Sequence, residues 1–111
     1  MKVVRVYTGP DGYSHFEDVT AAHAGAARQE QKATGLVFRT VENGSFQDWH
    51  NAPRRQYVLI LRGGMEIGIS DATLERFDAG DVLLTDDLTG RGHTTRAVGD
   101  GPRISCSIPL D

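Results

Sequence analysis

Short apolar and β-rich runs follow one another along most of this chain, some alternating apolar with polar positions as Met65–Ile69 does, and such runs predict β-strands. Val3, Val4, Val6 and Tyr7 open a β-rich run from Met1 to Thr8, closed by the turn signal Gly9-Pro10-Asp11-Gly12. Tyr13 to Val19 predicts a second short strand, so the first nineteen residues form a hairpin or a pair of edge strands. The texture then changes. Thr20 to Lys32 is rich in Ala, Gln and Glu with no β-branched run, and predicts either a short helix capped by Asp18 or Thr20 or a loop across a barrel mouth. Gly25 in its middle disfavours a long helix.

From Gly35 onward every apolar run is strand-like. Strands are predicted over Gly35–Val41, Ser45–His50, Gln56–Leu61, Met65–Ile69, Thr73–Phe77, Val82–Leu84, His93–Ala97 and Arg103–Ile108. Gly-, Asp- and Asn-rich turns separate them, and a polar loop spans Asp86 to Gly92. Many short strands at close, regular spacing predict an all-β sandwich or barrel with at most one short helix. A chain of 111 residues without repeats or linkers is one domain, 1–111.

Charge narrows the class of partner. Twelve basic and fifteen acidic residues give a net charge of −3, which supplies no footprint for nucleic acid. No apolar run approaches membrane-spanning length, and no leader-like start is present, so the expectation is a soluble cytoplasmic protein that binds neither nucleic acid nor membrane. The one cysteine, Cys106, has no internal partner for a disulfide and is expected to be a small buried residue. Arg39, Arg54 and Arg96, with Arg55, flank the polar stretches that carry the chemistry below. Guanidinium groups in that setting suit an anionic ligand.

The chemistry-bearing stretch runs from Gly44 to Gly63: a glycine, five residues, His50-Asn51-Ala52, three residues, Gln56, six residues, Gly63. A second stretch runs from Gly80 through Asp81-Val-Leu-Leu-Thr85 and the loop Asp86–Gly92 to His93 and Arg96. Together they resemble the two signatures of the cupin superfamily, in a subgroup of small single-domain members mostly of unknown function. Two departures stand in the first signature: Ala52 replaces the second histidine and Gln56 replaces the glutamate. The second lacks its proline, has Asp86 there, and carries about two extra residues before His93. The resemblance implies a jelly-roll β-barrel (double-stranded β-helix) of six to ten strands, often dimeric. The N-terminal strand Lys2 to Thr8 is a candidate to pair with a second copy in a homodimer.

It also implies a pocket. His50 and His93 are the candidate catalytic residues, and Arg39, Arg54, Gln56 and Arg96 the candidate substrate-binding residues. Standard cupins hold a transition metal with three histidines and a carboxylate. Here the corresponding ligands of a divalent ion (Fe, Mn, Ni or Zn) are His50, Gln56 and His93, with Asp48, Asp86 or Asp87 available to complete a two-histidine, one-carboxylate set. His15 and His23 lack such support and are expected at the surface or in packing. Two classes of function follow, beside a third reading as a structural dimer whose pocket is vestigial. One is an enzyme of isomerase, lyase or dioxygenase type acting on a small anionic or oxygenated metabolite, either with metal or through acid–base chemistry of the two imidazoles. The other is a non-catalytic barrel that captures such a molecule, as in a sensor.

Overall fold

A computed structural model describes residues 1–25 and 30–110. Ten strands and one helical turn follow in the order β1 (Val3–Thr8), β2 (Ser14–Asp18), α1 (Thr20–Ala24), β3 (Val37–Val41), β4 (Phe46–His50), β5 (Gln56–Arg62), β6 (Gly64–Gly68), β7 (Leu74–Asp78), β8 (Val82–Asp86), β9 (His93–Val98) and β10 (Arg103–Pro109). Each predicted strand is present. The helix reaches only Ala24, because Gly25 leaves it in an extended conformation. Its first N–H, from Thr20, is taken by the Asp18 carboxylate at 2.9 Å. The later part of the predicted helix, residues 26–29, lies outside the described residues.

The strands form two sheets. Six associate in the order β2-β1-β8-β5-β10-β3, and four in the order β4-β9-β6-β7. All pairings are antiparallel except β1 with β8, which run parallel with Val3 opposite Val82 and Val6 opposite Thr85. The N-terminal strand is therefore not a free edge. It is flanked by β2 and β8, so the expectation that Lys2 to Thr8 would pair with a second copy is corrected. The edges of the six-stranded sheet are β2 and β3.

Period-two patterning sends one face of each sheet inward. Val4 and Val6 of β1, Ile60 of β5 and Leu83 of β8 meet Met65 and Ile67 of β6 and Phe77 of β7. Val6, Ile67 and Phe77 are fully buried, each contributing about 1.5–3 kcal/mol of transfer free energy. This plug fills one end of the space between the sheets. The other end is lined by polar side chains and stays open.

The loop between β8 and β9 is tied to its surroundings by directed hydrogen bonds. Asn51 donates through its amide to the carbonyls of Thr89 and Gly90 at 2.9 and 3.0 Å. Thr8 Oγ1 donates to the Thr89 carbonyl, and Arg91 N–H to the Gly12 carbonyl. Gly90 and Gly92 have φ of +78° and +81°, a region that side chains with a Cβ disfavour. At Gly92 a Cβ would also run into the His50 carbonyl. The loop delivers His93 beside His50 because glycine permits this approach.

Candidate functional site

The open end of the barrel holds a cavity of about 170 Å³. Its deeper part is apolar, formed by Val58, Met65, Ile67 and Leu83. Polar groups from both sheets surround it. His50, His93 and Thr95 come from the four-stranded sheet, and Gln56, Thr85 and Arg103 from the six-stranded one. Such a mixture of apolar floor and few convergent polar groups is the usual make-up of a small-molecule site. The volume is below the roughly 300 Å³ of a drug-sized pocket.

His50 and His93 are register partners across β4 and β9, beside an irregularity that begins after Gln47. Their ring centroids lie 4.5 Å apart at an interplanar angle of 62°. Each ring is anchored through Nδ1. His50 Nδ1 is 2.7 Å from the Asp48 carbonyl oxygen, which can only accept, so Nδ1 carries the proton. His93 Nδ1 is 2.5 Å from Asp87 Oδ2, and donates to that carboxylate. With Nδ1 carrying the proton in each ring, Nε2 is the nitrogen that holds the free lone pair of the neutral form.

Asp87 is fully buried and His93 is 3% exposed. Ser14 Oγ, from β2, donates to the same Asp87 Oδ2 at 2.8 Å. Oδ1 has no hydrogen-bond partner among the described residues. A buried carboxylate that receives the imidazole N–H fixes the tautomer and stabilises the imidazolium that forms when Nε2 takes a proton. His50 has a pKa below the ordinary histidine value, chiefly because burial disfavours its charged form. The bond to the Asp48 carbonyl opposes this shift, the nearby His93 adds to it, and Asp87 opposes it. His50 is thus neutral at neutral pH.

The structure brings together His50, His93, Gln56 and Arg39 among the residues singled out from sequence. The Gln56 side chain lines the cavity without a hydrogen bond to His50. Arg54 and Arg96 are not brought there. Arg54 is exposed in the connection between β4 and β5, where the chain leaves the extended state and the period-two parity from His50 no longer holds. Arg96 is exposed and sits over the Phe46 ring at 4.6 Å, because it alternates with the inward-facing Thr95 and Ala97. His15 pairs with Asp11 and His23 with the Tyr57 hydroxyl, both away from the cavity.

Three groups were missed: Ser14, the positioning role of Asp87, and the inward row Arg103, Ser105 and Ser107 on β10. All three members of that row are buried. The alternation Arg-Ile-Ser-Cys-Ser-Ile is itself a signal, since it gives β10 one polar face. Only the barrel shows that this polar face points inward.

The carboxylates that were candidates to complete a metal set are committed elsewhere. Asp87 is held by His93 and Ser14. Asp86 points outward and pairs with Arg5 at 2.8 Å. Asp48 accepts the Trp49 N–H through Oδ1. Among the described residues no group of three His, Cys, Asp or Glu side chains is placed to hold a metal ion. Two imidazoles and the neutral Gln56 amide lack the anionic donor of a two-histidine, one-carboxylate centre. The residues present do not fit that centre.

No family model matches this chain, and no curated protein does. Solved structures do match it. A conserved protein of unknown function from Streptococcus pyogenes is 21% identical, with 74% of this chain and 68% of that one covered and a TM-score of 0.54. An uncharacterized conserved protein with a double-stranded β-helix domain from Klebsiella pneumoniae is 20% identical, with 68% and 64% covered and a TM-score of 0.53. This chain therefore spans just under two thirds of the Klebsiella protein's length. A cupin 2 conserved barrel domain protein from Salinispora arenicola is 17% identical, with 78% and 71% covered and a TM-score of 0.54. These likenesses establish the fold of this chain as the cupin double-stranded β-helix. No helix among the described residues is long and apolar enough to cross a membrane.

Proposed function

We propose that this small cupin-fold protein binds a small oxygenated metabolite in its cavity and moves a proton on it, without a resident metal. The observation that carries this reading is the buried Asp87–His93 pair beside His50, with both rings anchored at Nδ1. Such an arrangement presents His93 Nε2 as a base. It takes a proton from a carbon next to a carbonyl, and the resulting imidazolium is neutralised by Asp87. The imidazolium exchanges its Nε2 proton with solvent and returns a proton from the same side to a neighbouring carbon. The net change is an isomerisation, with no proton gained or lost. Neutral His50 accepts a hydrogen bond from a hydroxyl of the ligand and orients it.

The test is isotope exchange. Protein is incubated in deuterated buffer with a panel of small 2-oxo and 2-hydroxy acids, and loss of the adjacent C–H signal is followed by NMR. Exchange that disappears in His93→Asn supports the reading. A panel member that binds, as shown by protein chemical-shift changes, yet never exchanges would make the barrel a binding module instead.

A further inference from the structure

Arg103 is 8% exposed, faces the cavity, and makes no ion pair among the described residues. Its Nε is buried with no hydrogen-bond partner. A buried charge without a counter-charge is costly, and folded proteins normally pair it. The group nearest in charge makes matters worse. Arg39, which also lines the cavity, projects from β3 opposite Ser105. Burial first, and the charge of Arg39 second, hold the Arg103 pKa below its ordinary value. The guanidinium nonetheless remains positive, since arginine does not deprotonate in proteins. Ser105 and Ser107 stand next to Arg103 on the same inward face of β10, and both line the cavity. This wall carries two cations and two hydroxyl donors. Neither arginine has a carboxylate partner among the described residues.

We infer that Arg103 and Arg39, assisted by Ser105 and Ser107, form the subsite that receives the carboxylate group of the ligand, on the wall facing the imidazole pair. The counter-ion that Arg103 lacks is supplied by the ligand itself. Its planar fork matches the two oxygens of a carboxylate. The cavity is small, about 170 Å³ against roughly 300 Å³ for a drug-sized site, so the acid group it holds belongs to a short molecule. The ligand is thus a short carboxylic acid whose acid group lies on β10 and whose reacting carbon lies toward β4 and β9. This deepens the cavity reading above, yet stands apart from the histidine chemistry.

Thermal stability measured with sodium acetate, malonate and benzoate, against sodium chloride and inorganic phosphate at equal ionic strength, tests the subsite. At least one carboxylate is expected to raise the wild-type melting temperature above the chloride control. Arg103→Met should weaken that carboxylate by at least about tenfold. It should also melt higher than wild type in the absence of carboxylate, because an uncompensated charge is gone. Arg103→Lys keeps the charge and loses the fork, and decides the matter should the Met variant not fold; it too is expected to weaken the carboxylate. His93→Asn should retain the carboxylate response while losing exchange, so the subsite and the proton transfer fail separately. Three results would overturn the subsite: no carboxylate exceeding chloride, phosphate stabilising more than every carboxylate, or folded Arg103 variants that respond as wild type does.

Discussion

Asp87 Oδ2 sits 2.5 Å from His93 Nδ1, and the same oxygen accepts the Ser14 hydroxyl at 2.8 Å. One carboxylate oxygen therefore holds both the ring that faces the cavity and the N-terminal hairpin behind it. The tautomer of His93 depends on this single acceptor. Asp87→Asn keeps the shape, but its amide can donate to Nδ1 and move the ring proton to Nε2. The variant is expected to fold and to lose exchange activity by at least about a hundredfold. Nitrogen NMR of the imidazole reads the tautomer directly, and an unchanged Nδ1–H signal in the variant would count against this role. Ser14→Ala should be milder in activity and cost about 1–3 kcal/mol of stability, measured by urea unfolding.

His50 makes stability depend on pH in a defined direction. Its folded pKa lies below the ordinary 6.5, so below that value the unfolded chain binds a proton that the folded chain resists. Stability is whole above about pH 6.5 and falls as pH drops through the folded value. The urea midpoint of wild type should decline over this window, and His50→Asn should flatten that part of the curve. An equally steep decline in the variant would place the effect in another group.

Gly92 controls how closely the two histidine strands approach. Its φ of +81° and the overlap of any Cβ with the His50 carbonyl predict that Gly92→Ala destabilises by about 2 kcal/mol or more. The resonances of both imidazoles should move together in the variant. A variant as stable as wild type, with unmoved ring signals, would contradict the proposed packing.

Metal affinity should rise when the missing donors are restored. Ala52 is buried and lines the cavity beside Gln56. The double variant Ala52→His with Gln56→Glu adds an imidazole and a carboxylate to the existing pair. Nickel or zinc should bind it at least about a hundredfold more tightly than wild type, by calorimetry. Equal affinities would mean that wild type already holds a full ligand set.

Much of this architecture was legible from the chain, because strands announce themselves by alternation and turns by glycine. All ten strands fall where the pattern puts them. His50 and His93 meet as expected, and Gly90 and Gly92 take the left-handed conformations that a tight approach to His93 requires. Failures cluster where parity is interrupted. Between His50 and Gln56 the chain leaves the extended state, so Arg54 cannot be assigned a face by counting. Arg96 is near His93 in sequence but has the opposite parity, and its side chain goes outside. Arg103 was hidden for another reason. A polar strand face signals solvent in most sheets, and only closure of the barrel turns that face toward the cavity. Asp87 was visible as an acid, yet nothing local shows that its oxygen would meet both Ser14 and His93.

The parallel pairing of β1 with β8 joins Val3 to Val82. On the ribosome, β1 must wait for some eighty further residues before its second neighbour, β8, exists. The Ser14–Asp87 bond closes across the same span. Assembly of the Asp87–His93 pair is thus a late event in the folding of this chain, dominated by contacts distant in sequence, and such topologies fold slowly. Until β8 arrives, the hairpin of β1 and β2 leaves an unpaired strand edge, the kind of surface that promotes aggregation.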